Sequence, residues 1–87
     1  MQDELLTLCN IGKTSALWLH ACGIHTRSDL ARLGSAKAYF QVKSRGFNVS
    51  RVLLYSIEGA LLDQSWQTLS DETKARLNQE VTALEQK

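Results

Sequence analysis

The chain has 87 residues, of which 44% are hydrophobic and 22% charged. That is ordinary globular usage in the size range of one domain, and it excludes the low-hydrophobicity, high-charge pattern of a disordered protein. No apolar run approaches the roughly eighteen residues a membrane span needs, and the start Met1-Gln2-Asp3-Glu4 carries acids where a secretion signal carries bases, so a cytoplasmic, non-membrane protein is expected.

The first apolar stretch predicts a helix near residues 2–8, running into the tight turn Asn10-Ile11-Gly12. A second helix is expected over 13–22, where Ile11, Ser15, Trp18 and Cys22, with Ala16 and Leu19, follow helical spacing. Gly23 suits its end, because glycine enters the left-handed region without a side-chain clash. Thr26 followed by Asp29 reads as a capping box opening a helix over 27–33, which Gly34 ends. Ser35 precedes a helix over 36–45 ending at Gly46, and Ser50 precedes another over 51–62 with Leu53, Leu54, Ile57 and Leu61 on its inner side. Ser70 opens the last helix, 71–85, with Asp71 and Glu72 at its positive end and a narrower stripe of Leu77, Val81 and Leu84. Trp18, Tyr39, Phe40, Phe47, Tyr55 and Trp66 are spaced as core anchors. There is no proline, repeat, low-complexity stretch or extended period-2 pattern. The expectation is one all-α domain over 1–87, a compact bundle of five or six short helices with a helix-hairpin-helix-like element at about 5–23.

Charge is unevenly distributed. Residues 1–12 hold two acids, residues 13–56 hold seven bases against the single acid Asp29, and residues 57–87 hold six acids against three bases. A basic middle could attract a polyanion, although a count along the chain does not place the charges on one face.

The Asn10–Thr14 turn is the main candidate site. Gly12 allows a sharp turn, Ile11 plugs the space between two helices, and the free amides of the following helix point outward at its positive end, where a phosphate can sit. Lys13 adds a charge and Thr14 a hydroxyl, which would grip nucleic-acid backbone without reading bases. Asn10 tolerates the left-handed conformation the turn needs. With Lys43, Arg45 and Arg51, these residues are the candidate contacts to double-stranded DNA, a reading that requires the bases to share the face of the turn. The other reading is a protein-docking module with an exposed apolar patch near the last helix.

Other chemistries fail on geometry. Gly12-Lys13-Thr14 ends like a phosphate-binding P-loop, but Thr7 stands where the earlier glycine belongs and a helix leads in where a strand is required. His20 and Cys22 lie two apart on one helix, about 200° from each other, so with Cys9 and His25 they make a poor zinc set. Cys9 and Cys22 read as reduced, apolar packing residues, and Cys22 with His25 lacks a group to orient the imidazole as a nucleophilic pair would need. Asp3-Glu4 and Asp71-Glu72 sit at helix starts, where capping explains them. No catalytic set, metal or cofactor is expected, and the chain does not read as an enzyme.

The stretches NIGKTSALWLHACGIHTRSDLARLG and AYFQVKSRGFNVSRVLLYSIEGALL together resemble the C-terminal domain of the TfoX/Sxy family of bacterial competence regulators, over residues 5 to about 80. The resemblance implies helix-hairpin-helix geometry and a role in switching on DNA-uptake genes alongside the cyclic-AMP receptor protein; in the protein-docking reading the partner is a transcription activator of that type or RNA polymerase. In that family a larger N-terminal domain usually precedes this one, so the chain is expected to be an excised domain or a free-standing relative.

Overall fold

The computed structural model describes residues 4–86. Among these it contains five α-helices, α1 (Lys13–Ala21), α2 (Arg27–Leu33), α3 (Ser35–Ser44), α4 (Arg51–Leu62) and α5 (Asp71–Glu85), with 3-10 turns over Glu4–Thr7 and Trp66–Thr68 and no strand.

Over the described residues the expected first helix is a tighter 3-10 turn than its apolar pattern predicts. Its start at Gln2 and Asp3 lies outside the described residues, and the rest is the single 3-10 turn Glu4–Thr7. Its acceptors are engaged locally, in the i to i+3 pattern of a 3-10 turn. The Thr7 hydroxyl donates to the Glu4 carbonyl at 2.6 Å and the Leu8 amide to the Leu5 carbonyl at 3.1 Å. Leu5 is completely buried and anchors the arm. Its other end is stitched to α2, where the Arg27 amide donates to Glu4 Oε2 at 2.9 Å.

Helix punctuation follows the residues closely. Thr26 caps α2, its hydroxyl accepting from the Asp29 amide at 3.0 Å, while Asp29 Oδ2 reaches back to the His25 amide at 3.2 Å. Ser70 caps α5 by accepting from the Thr73 amide at 3.1 Å. Ser50 stands at the start of α4 without a side-chain cap bond. Gly34 is the whole connection between α2 and α3, at φ 89°, ψ 158°, a backbone region essentially confined to glycine. Ser35 is therefore inside α3 rather than before it, and its hydroxyl donates to Glu58 Oε1 at 2.6 Å.

The core gathers around α3, which packs against α5, α4, α2 and α1. Ala38, Tyr39 and Val42 of α3 meet Leu53, Leu54 and Ile57 of α4 and Leu77 and Val81 of α5, all of them buried. Burial of this apolar surface, worth about 25 cal/mol per Å², is the main force holding the bundle together. Four of the aromatic residues stack in pairs, Trp18 on Phe47 with ring centroids 5.7 Å apart and Tyr55 on Trp66 at 6.2 Å. Lys74 Nζ sits over the second pair, 5.5 Å from the Tyr55 ring. Both cysteines are free thiols, half-buried.

Candidate functional site

The Asn10–Thr14 turn forms as a left-handed residue followed by an extended glycine. Asn10 takes φ 72°, the conformation its side chain tolerates, and Ile11 is buried between the N-terminal arm and α1. Asn10 is nevertheless an inward-facing residue. Its Nδ2 donates to the Gln64 carbonyl at 2.9 Å and the Ser56 carbonyl at 3.5 Å, while Oδ1 accepts from the Trp66 amide at 3.4 Å. It binds the turn to the far end of α4.

The outward side of the turn belongs to Gly12, Lys13 and Thr14, all exposed. Gly12 is the N-cap of α1 and has no side chain to offer, so the first amides of α1 are uncapped from within. Lys13 lines a shallow cleft of about 260 Å³ with Leu6, Ala16 and Leu17. Leu17 is 68% exposed and Leu6 43%, which makes this face both basic and apolar.

The remaining candidate bases lie at another junction, where α3 ends and α4 begins. Lys43 Nζ pairs with Glu85 Oε2 at 2.5 Å, tying the end of α3 to the end of α5. Hydrogen bonding from Lys43, reinforced by the charges of Lys43 and Arg51, holds the Glu85 carboxyl below its ordinary value. The Arg51 guanidinium lies over the Tyr39 ring, 5.5 Å from its centroid, with Nη1 buried and without a hydrogen-bond partner among the described residues. Arg45 is exposed beyond the end of α3. The structure thus brings Lys43 and Arg51 together through Glu85, and it sets Lys13 in a separate cleft among leucines.

Several other cations meet acceptors of the same chain. Arg27 Nη2 donates to the Leu61 carbonyl at 2.7 Å, at the end of α4, and Arg32 stands 4.0 Å from Asp29. The Asp29 carboxyl is held below its ordinary value chiefly by the His25 backbone amide, with help from Thr26 and Arg32. Arg76 bridges Glu58 Oε2 at 2.9 Å and Glu80 Oε2 at 3.5 Å.

Two features have no signature in the local sequence. His20 and His25 close the turn between α1 and α2, Nδ1 to Nδ1 at 2.6 Å with rings at 23°, a pairing of residues five apart across Gly23 that the helical wheel of α1 alone does not reveal. Among the described residues no three His, Cys, Asp or Glu side chains converge in a metal-binding group. The second feature is a cleft of about 300 Å³ between the α2–α3 corner and α5, walled by Leu33, Ala36, Ala83 and Leu84 with Lys37 and Glu80 on its rim. Among the described residues no helix is long and apolar enough to cross a membrane.

Comparison with known proteins agrees with the architecture. An uncharacterized protein from Listeria monocytogenes, solved in a triclinic crystal form, is 32% identical with a TM-score of 0.83, the match covering 93% of this chain and 92% of that one. A Listeria monocytogenes protein of unknown function, solved in a tetragonal form, is 31% identical with a TM-score of 0.83, over 92% of this chain and 99% of that one. No curated protein matches. The sequence model of the TfoX C-terminal domain, a regulatory rather than an enzymatic type of domain, matches residues 1–81. The chain, with its five-helix bundle and its Asn10–Thr14 turn, belongs to the TfoX C-terminal domain family.

Proposed function

We propose that this domain is a regulatory module of competence-type transcription control that works by docking on another protein, a cyclic-AMP receptor protein-type activator or RNA polymerase. One observation carries the reading. Leu17 and Leu6 stand exposed beside Lys13, whereas Lys43, Arg51 and Arg27 are engaged by acceptors or rings of the same chain, which leaves Lys37 and Arg45 as the exposed bases away from the turn with no ion pair among the described residues. An exposed apolar patch marks a protein contact, while duplex affinity comes mainly from cations free to neutralise phosphates.

A second reading draws on the uncapped start of α1. Gly12, Lys13 and Thr14 offer exposed amides, an ammonium and a hydroxyl, the set that holds a phosphate of duplex DNA without reading sequence.

Two binding measurements separate the readings. The chain is titrated into a purified activator of the cyclic-AMP receptor protein class and, separately, into a fluorescent duplex across a salt series. Docking predicts a complex with the activator that weakens in Leu17→Asp. Duplex binding that falls with salt at a slope of about −0.9 per phosphate contacted, and that is lost in Lys13→Glu, would put the DNA reading in its place.

A further inference from the structure

We infer that the cleft lined by Leu6, Lys13, Ala16 and Leu17 receives an acidic amphipathic segment of a partner protein, one that seats an apolar side chain between the two leucines and sets a carboxylate against the Lys13 ammonium. This rests on the protein-docking reading and adds the place and chemistry of the contact. Leu6 comes from the N-terminal 3-10 turn and Leu17 from the outer side of α1, so two separate elements converge on one cleft of about 260 Å³. Ala16, only 2% exposed, is its floor. The small side chain there opens the space that the flanking leucines wall.

The charge at the rim selects the occupant. Lys13 is the charged residue lining the cleft, and among the described residues it makes no ion pair, unlike Arg32, Lys43 and Arg76. It sits on the first residue of α1, where the helix dipole adds to its positive field. A second copy of the chain is a poor occupant, because a symmetric contact through this patch would oppose Lys13 to Lys13. A phosphate backbone would leave Leu6 and Leu17 uncovered. A helix with leucine at i and i+4, flanked by aspartate, covers both kinds of surface at once, as in other helix-in-groove complexes.

The probe is a fluorescent synthetic helical peptide of that design, with a counterpart in which lysine replaces each aspartate. Anisotropy and amide spectra of the full chain are followed for both. The acidic peptide is expected to bind and to shift the resonances of Leu6, Lys13 and Leu17. Leu17→Asp should weaken it by about tenfold or more, which is about 1.4 kcal/mol. Lys13→Glu should reverse the preference toward the lysine peptide, a gain that a merely unfolded variant would not show. Equal binding of the two peptides, shifts elsewhere on the surface, or no binding of the acidic one overturns the inference. If the activator then still binds wild type and Leu17→Asp alike, docking stands and this cleft falls; if it binds neither, both readings fall.

Discussion

The Asn10 carboxamide occupies the space that a Cβ on Gly59 would need. A methyl group there would lie 2.6 Å from the Gln64 carbonyl oxygen and closer still to Asn10 Nδ2, so α4 can approach the Asn10 turn only because position 59 carries no side chain. The same approach lets Asn10 satisfy the Gln64 and Ser56 carbonyls and the Trp66 amide together. The glycine and the asparagine are one device, holding the N-terminal arm against the end of α4.

It follows that Gly59→Ala destabilises, although alanine normally favours a helix interior by about 1 kcal/mol. The clash should outweigh that gain and cost about 2 kcal/mol net, read as a lower urea midpoint. Asn10→Ala should cost a similar amount by leaving the part-buried Gln64 carbonyl and Trp66 amide without the carboxamide that meets them. The double variant should lose less than the two single losses combined, because Asn10→Ala removes one of the atoms that the new methyl meets. Strict additivity would show that the two residues are not coupled.

The helix caps make a paired test. Thr26→Ala removes a bonded cap at the start of α2 and should cost about 1 kcal/mol, as should Ser70→Ala at α5. Ser50→Ala should change stability by less than about 0.5 kcal/mol, since Ser50 makes no side-chain cap bond. Equal losses at all three serine and threonine positions in thermal denaturation would contradict the capping geometry.

Acid should release the end of α5. The Glu85 carboxyl is held below its ordinary 4.5 by Lys43, so the folded chain binds fewer protons there than the unfolded chain. Its contribution is complete above that ordinary value and is lost as pH falls through the lower folded value. Glu85→Gln should therefore be less stable than wild type at neutral pH, and the difference should close once the pH has fallen below the lowered folded value. The neutral-pH difference should shrink in high salt, because the pair is partly exposed. A penalty that persists in acid would mean that Glu85 acts through packing instead of charge.

Gly34→Ala should be among the most damaging substitutions of the chain, because φ 89° with ψ 158° is closed to a residue with a Cβ. A loss of about 2 to 3 kcal/mol is expected, with α2 and α3 losing amide-exchange protection together. By contrast, Leu17→Asp and Lys13→Glu change exposed side chains and should leave the melting temperature nearly unaltered, so that lost binding in either variant reports on the surface.

How much of this was legible in the residues differs from element to element. The five helices, the Gly23, Gly34 and Gly46 ends at positive φ, the Thr26 and Ser70 caps and the left-handed Asn10 are local matters: a 3.6-residue stripe, a missing Cβ or a side-chain oxygen in reach of a nearby amide decides each within a few residues. The sequence by itself also determined the all-α class and the family. Only the tertiary structure decided what the candidate site residues do, because partners far apart in the chain compete for the same side chains. Lys43 could not be seen to meet Glu85, nor Arg51 to lie on Tyr39, from spacing along the chain. Asn10 reads as a turn residue in its own neighbourhood and becomes a bridge only when α4 delivers Gln64 and Ser56 to it. The exposure of Leu17 was decided in the same way: helical periodicity marks one face of α1 as apolar, and the packing of the other elements determines which apolar residue is left facing water.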